Sequence, residues 1–267
     1  KVPNTSATAA SSGTDLNGAA VADACRILRE RLSTVAATML GVATETLRFS
    51  DGAVHTTDGR SVPFSEVTLQ AWMRRVNMSA SGFYATPGVA YDHETGSGTP
   101  FFYFAYGGCI TEVEVNGLTG EYRIRAADIV HDVGDSLVPN IDRGQIEGAY
   151  VQGAGWLTCE EVLFTAEGRL LTHGPSTYKI PAAGDAPLDF QVELLDDARQ
   201  DTVIGGSKAV GEPPFMLAIS VITAMHHAIA SFGVPGAEVE LTIPATPEAV
   251  LRATAAIQPA ARAEAAR

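Results

Sequence analysis

Cysteine is scarce in this chain of 267 residues, and its scarcity limits the kinds of metal site the chain can hold. The three cysteines, Cys25, Cys109 and Cys159, form no CxxC pair. A zinc knot or a CxxC-type iron–sulfur site within the chain is therefore not expected. An odd number of cysteines is typical of a reducing compartment, which predicts a cytoplasmic protein.

The chain also lacks a long hydrophobic run and an excess of positive charge. Its longest apolar stretch, residues 215–225, is shorter than the ~20 residues that a membrane helix needs, and its first residues do not lead into the apolar core of a signal peptide. The formal net charge is -13, which repels phosphate backbones. We therefore expect neither a membrane nor a nucleic-acid partner.

Common self-contained catalytic motifs are missing as well. The six histidines form no HExxH pair, and no GxSxG nucleophile elbow is present. Gly153 and Gly155 begin only a fragment of a GxGxxG pattern, because Thr158 stands where its last glycine belongs. We therefore expect no metal ligand from the protein itself, no serine hydrolase triad and no dinucleotide fold.

The order of predicted elements indicates an α+β fold with mixed sheets and packed helices. We expect two subdomains, residues 1–138 with a β-rich middle and residues 139–267 with an apolar helix after Pro213. In the second, residues 141–163 have helical periodicity with glycines at intervals, which would let another backbone pack closely against this helix. The other predicted elements are helices at residues 15–32, 63–75 and after residue 246, a hairpin turning at residues 51–52, and strands at residues 101–115, 121–133, 168–170 and 189–195.

Glu212 is the residue whose setting most suggests chemistry. It stands between Gly211 and two prolines, directly before the apolar helix. Amide dipoles at a helix start favour an ionised carboxylate, as a general base requires. Prolines restrict the backbone that carries it. The alternative from the same pattern is that Glu212 only complements the helix dipole.

Two further segments could bind a ligand. Gln145 offers a donor and an acceptor in one plane near the start of the glycine-spaced helix. Residues 8–14, TAASSGT, combine small hydroxyls and backbone amides just before a helix, which suits an anion or phosphate. Taken alone, Gln145 is equally consistent with a surface or capping residue. The composition of residues 5–14 is equally typical of a linker.

Together these stretches resemble the molybdenum hydroxylases, and most closely the C-terminal part of the molybdopterin-binding region of xanthine dehydrogenases. The blocks occur in the family's order over nearly the whole chain. They are VPN at residues 2–4, TAAS at 8–11, GFY at 82–84, TP at 86–87, GQIEG at 144–148, GPSTYKIP at 174–181 and SKAVGEPP at 207–214. The resemblance implies the second half of a molybdopterin-binding domain, and it overrides the linker interpretation of the N-terminal stretch.

The resemblance implies a role for each candidate residue. Glu212 matches the family's catalytic glutamate, the general base in the hydroxylation of hypoxanthine and xanthine to urate. Gln145 matches a glutamine at the cofactor, and Gly13 replaces a serine of animal members. Ala9 and Ala10 match residues beside both the cofactor and the substrate ring. Their small side chains would leave room for that ring. The loop that holds the pterin and its phosphate corresponds to Ser11, Ser12 and Thr14.

The resemblance also implies that this chain does not act alone. The family's other pterin loops and its purine-orienting arginine and glutamate lie upstream. Its 2Fe-2S clusters and FAD lie elsewhere again, and NAD would accept the electrons. We therefore expect partner chains, or other segments of a cleaved polypeptide, in a higher oligomer. The alternatives are an aldehyde oxidase, another N-heterocycle hydroxylase, or a non-catalytic assembly subunit.

Overall fold

The computed structural model describes residues 9–258, which divide between Phe102 and Tyr103 into two compact units. The sequence predicted this boundary at residues 138/139 instead. The difference arises because the long strand before residue 138 pairs with a strand far beyond it, at Asp189–Leu194. A sheet shared across residue 138 keeps both sides of that position in one unit. The VPN block at residues 2–4 lies outside the described residues.

The first unit packs two helices against a small antiparallel sheet. Helix α1 (Ala19–Leu40) follows a π-helical turn at Thr14–Gly18, and α2 spans Phe64–Met73. Between them, β1 (Leu47–Ser50), β2 (Ala53–Thr56) and β3 (Ser61–Pro63) pair in that order. A second hairpin follows, with β4 (Ala90–Asp92) and β5 (Ser97–Thr99). The core of this unit consists of Leu32, Val35, Ala36, Leu47, Val54, Val62, Val67 and Ala71.

The first hairpin forms as the sequence predicts. Asp51 and Gly52 connect β1 to β2, both with positive φ, at 51° and 71°. Two successive residues in this conformation give the tight turn whose twist matches paired strands. The pairing that follows, with Phe49 opposite Val54, alternates side chains between the core and solvent.

The second unit is a mixed three-stranded sheet covered by helices, which confirms the predicted α+β class. Strand β6 (Gly107–Val115) runs antiparallel to β7 (Tyr122–His131), and β8 (Asp189–Leu194) runs parallel to β7. Helices α3 (Pro139–Thr158) and α4 (Ile219–Ala230) pack on the sheet, and α5 (Pro247–Ile257) follows. Residues 168–170, expected as a strand, form only an isolated bridge at Leu170.

One helical stretch among the described residues, Pro213–Ala230, is long and apolar enough to resemble a membrane span. It comprises a 3-10 turn at Pro213–Ala218 followed by α4. Ala218, Val221, Met225 and Ile229 on this stretch are fully buried in the hydrophobic core of the second unit, and α4 packs on β6. Core packing therefore accounts for the apolar residues on one side of the stretch, whereas Met216 and Ile219 are exposed.

Candidate functional site

Residues 9–14 form a tight turn that leads directly into the first helix. Ala10 and Ser11 have positive φ, at 51° and 52°, a conformation that residues other than glycine rarely adopt outside turns and functional loops. The turn is closed by the Ser12 backbone N–H and hydroxyl, which both donate to the carbonyl of Ala9, at 3.2 and 3.0 Å. The first unit therefore holds this segment as an ordered turn, not as a linker.

The helix that begins after this turn has no side-chain cap at its N-terminus. The first N–H groups of a helix lack partners within the helix, and the positive end of the helix dipole lies there. Thr14 is exposed, and Ser11 and Ser12 are partly exposed. Backbone amides and the exposed hydroxyl of Thr14 thus lie at one helix end, a donor set suited to a phosphate or another anion.

Gln145 lies on the exposed side of α3, between two glycines. Gly144 and Gly148 have no atom within 4 Å of where a Cβ would stand, in the part of the chain that the structure describes. The opposite face of α3 is buried through Ile146, Ala149 and Tyr150. The side chain of Gln145 therefore stands on an open strip of helix surface.

The close approach expected from the glycine spacing occurs further along α3. A Cβ on Gly153 would lie 2.6 Å from the carbonyl oxygen of Phe215 and 2.7 Å from the Cβ of Ala218. Both contacts belong to the 3-10 turn that follows Glu212. Gln145 precedes Gly153 by about two turns, or ~12 Å along the helix axis. Helix α3 thus carries Gln145 at one point and supports the segment after Glu212 at another.

Glu212 is an exposed residue at the start of the 3-10 turn Pro213–Ala218, which continues into α4. Pro213 is partly buried and Pro214 is buried. The N–H of Phe215 donates to the carbonyl of Glu212 at 3.0 Å. A carboxylate is therefore presented at the surface of the second unit by a backbone that two prolines and a helical turn hold in place.

The segment before Glu212 is fixed by the end of β7. Ser207 bridges Gly134 in antiparallel fashion, and the N–H of Lys208 donates to the carbonyl of Val133 at 2.8 Å. The Lys208 ammonium forms a buried ion pair with Asp132 at 2.5 Å. The sequence motif contains Lys208, but Asp132 lies 76 positions earlier. Nothing in the local pattern pairs two residues so far apart, so the sequence analysis did not identify Asp132.

His131 precedes Asp132 and takes no part in this ion pair. Its side chain is 1% exposed, and its Nδ1 has no hydrogen-bond partner among the described residues. Burial lowers the pKa of His131 by penalising the imidazolium form. The imidazole is therefore neutral at pH 7, and Lys208 is the cation that balances Asp132.

The structure thus gathers the candidate residues into two groups. Ala9, Ala10, Ser11, Ser12 and Thr14 share the turn before the first helix, in the first unit. Gln145 and Glu212 belong to the second unit, on α3 and on the segment packed against α3.

A family model described as a molybdopterin cofactor-binding domain matches residues 1–187. The chain belongs to the molybdopterin cofactor-binding domain family. This match covers the turn at residues 9–14 and the whole of α3 with Gln145. The segment that carries Glu212 lies beyond it.

Relatives of this molybdopterin cofactor-binding domain extend the likeness over most of the chain. It is 47% identical to a xanthine dehydrogenase of Dictyostelium discoideum, over 86% of this chain and 16% of that protein. It is 42% identical to a xanthine dehydrogenase of Oryza sativa subsp. japonica, over 94% of this chain and 18% of that protein. The chain therefore spans less than a fifth of the length of these relatives.

Two solved structures of other enzymes share the fold of this chain. Quinoline 2-oxidoreductase from Pseudomonas putida 86 matches with a TM-score of 0.76 and 27% identity, over 94% of this chain and 31% of that one. A Cu,Mo-CO dehydrogenase matches with a TM-score of 0.75 and 18% identity, over 96% of this chain and 31% of that one. The second match shows the fold alone. The family model and the xanthine dehydrogenase relatives confirm the resemblance to molybdenum hydroxylases.

Proposed function

We propose that this chain is the C-terminal part of the molybdopterin-binding region of a xanthine dehydrogenase, with Glu212 as its general base. The complete enzyme would hydroxylate hypoxanthine and xanthine to urate. The observation that carries the proposal is the presentation of Glu212. Its carboxylate is exposed, while the backbone on both sides is held by β7, α3 and two prolines.

The residues present fit a molybdopterin cofactor. The turn before the first helix collects amide and hydroxyl donors, as an anionic pterin phosphate requires. Ala9 and Ala10 are exposed and small, which leaves room for a flat ring. Gln145 stands on an open strip of α3 that offers an amide to a pterin or an oxo group. Each unit therefore supplies polar groups of the kind the cofactor would need.

The chain's own residues would bind the cofactor and move one proton. When bound, the molybdenum–pterin group supplies the oxygen and accepts two electrons in hydroxylation of an electron-poor ring carbon. Glu212 would act as the general base, since a carboxylate oxygen within hydrogen-bond distance of the reacting group would accept one proton. In the first unit Ser11, Ser12 and Thr14 would bind the phosphate, and in the second unit Gln145 would offer hydrogen bonds to the cofactor.

The remaining parts of the reaction would come from outside this chain. Because the chain spans only 16–18% of the relatives' length, we assign the other pterin loops and the purine-orienting residues to the rest of the enzyme. The 2Fe-2S clusters and FAD would carry the electrons to NAD, within a larger cytoplasmic oligomer.

A second candidate function is hydroxylation of a different nitrogen heterocycle. The likeness to a quinoline 2-oxidoreductase, at 27% identity and a TM-score of 0.76, favours it. The base and the cofactor turn would serve both functions. The residues that choose the substrate lie outside the described chain under either proposal.

A substrate comparison on the complete enzyme tests the proposed function. We expect molybdenum and pterin in the purified enzyme, and NAD reduction with xanthine at least tenfold faster, by kcat/KM, than with quinoline or an aldehyde. Faster turnover of quinoline would favour the second candidate. Absence of molybdenum and of turnover with all three substrates would overturn both proposals.

The Gln145→Ala substitution tests whether the exposed amide of α3 binds the cofactor. Loss of one hydrogen bond costs ~0.5–1.5 kcal/mol, so we expect the enzyme to lose cofactor about two- to tenfold more readily under mild denaturant. Molybdenum per enzyme after dialysis is the measurement. Gln152→Ala, on another exposed position of α3, is the control and should retain its molybdenum. Equal retention in both variants would remove Gln145 from the cofactor site.

A further inference from the structure

The ion pair between Lys208 and Asp132 is unusual in its burial. The two side chains are 10% and 2% exposed, and the Lys208 Nζ donates to Asp132 Oδ2 at 2.5 Å. The other carboxylate oxygen of Asp132 accepts the N–H of Gly134 at 2.9 Å. The ammonium also lies 5.9 Å from the centre of the Tyr106 ring, within the range of a cation–π contact.

A pair of this kind contributes little to folding compared with apolar side chains of the same volume, because both charges must leave water. Its effect is geometric, since it ties the segment before Glu212 to the end of β7. Two backbone hydrogen bonds connect the same two segments. The N–H of Asp135 donates to the carbonyl of Gly206, and that of Lys208 to the carbonyl of Val133, both at 2.8 Å.

The anchored segment continues almost to Glu212. The N–H of Ala209 donates to the hydroxyl of Tyr103 at 2.8 Å, and Val210 packs against the hydrophobic core of the second unit. Gly211 alone separates this anchored stretch from Glu212. A displacement of Lys208 would therefore also displace the carboxylate of Glu212, because the few residues between them are held in place.

We propose that the Lys208–Asp132 ion pair sets the position of the Glu212 carboxylate, which makes Lys208 a positioning residue for the proton transfer. The inference rests on the proposed function of Glu212. It adds a pair of residues, from two distant parts of the chain, on which the geometry of the base depends. A misplacement of a catalytic group by about 1 Å lowers a rate by up to ~10²-fold.

Three variants of the complete enzyme test the proposal: Lys208→Met, Asp132→Asn and the double variant. Each single change leaves one buried charge unpaired and should lower the melting midpoint. The double variant removes both charges with little change of shape, so it should recover most of that midpoint. We expect its kcat to stay about 10- to 100-fold below that of the unchanged enzyme, with KM within about twofold and molybdenum content unchanged.

Hydrogen exchange gives a readout that does not depend on turnover. In the double variant we expect the amides of residues 207–212 to exchange at least about tenfold faster, and those of Pro247–Ile257 to be unaffected. Arg252→Met, which breaks the exposed pair with Glu248 in α5, is the control and should change neither kcat nor exchange at residues 207–212.

Two results would overturn the positioning role: a double variant with unchanged kcat, or a kcat that follows the melting midpoint through all variants. Unchanged exchange at residues 207–212 would likewise show that the pair does not anchor the segment. A Glu212→Gln variant separates this failure from failure of the proposed function. If that variant is inactive while the double variant is fully active, the positioning role fails and the proposed base stands.

Discussion

The Glu212→Gln substitution is expected to lower turnover of the complete enzyme by at least ~10²–10⁴-fold, the usual contribution of a positioned general base. Glutamine keeps the size of the side chain but accepts a proton far more weakly. Steady-state NAD reduction with xanthine measures the loss. Molybdenum content and the melting midpoint should match those of the unchanged enzyme.

The structure explains why folding should survive this change. Glu212 is exposed, and the elements around it are held through the backbone and through buried neighbours such as Pro214 and Ala218. At an exposed helix start the ionised side chain contributes a helix-dipole term of about 0.3–1 kcal/mol. The effect on rate is therefore separable from any effect on stability.

Glu248→Gln is the matched control. Glu248 is an exposed acid in the first turn of α5, after Thr246 and Pro247. If Glu212 served only the helix dipole, the two substitutions would have similarly small effects on stability and leave turnover intact. We expect Glu248→Gln to keep full turnover. Retained turnover in Glu212→Gln would remove the residue from the mechanism.

The sequence predicted the local elements of this fold well where turn and capping chemistry are explicit. Asp51 and Gly52 form the expected turn, and the Thr246 hydroxyl caps α5 by accepting the N–H of Ala249 at 3.3 Å. The start of the first helix was less exact. Residue 15 was predicted as its first position, whereas Asp15 already lies within its first turn, because the helix begins directly after the tight turn of Ala10 and Ser11.

The long-range features could not be predicted from local patterns. The boundary between the two units depends on the pairing of β7 with β8, whose residues lie on opposite sides of a helix and a long loop. The proposed anchoring of Glu212 depends in the same way on Asp132, directly after β7. The resemblance to a family suggested the candidate site residues, whereas the contact between Lys208 and Asp132 is visible only in the structure.

The Gly153→Ala substitution is expected to destabilise the second unit and lower turnover together. Alanine favours the helix by ~1 kcal/mol over glycine, but its Cβ would stand 2.6 Å from the carbonyl oxygen of Phe215 and 2.7 Å from the Cβ of Ala218. Overpacking of this kind costs ~1–3 kcal/mol. Since one neighbour is backbone, the clash should prevail, with a net loss of up to about 2 kcal/mol.

Relief of that clash would move Phe215, three positions after Glu212, and so displace the proposed base from its other side. We expect the melting midpoint to fall by up to roughly 8 °C and kcat by up to ~10²-fold. The control is Gly148→Ala on the same helix, where no described atom lies within 4 Å of the new Cβ. It should raise the stability of the second unit by ~0.5–1 kcal/mol. If both substitutions stabilise the chain equally, α3 does not support the segment after Glu212 through Gly153.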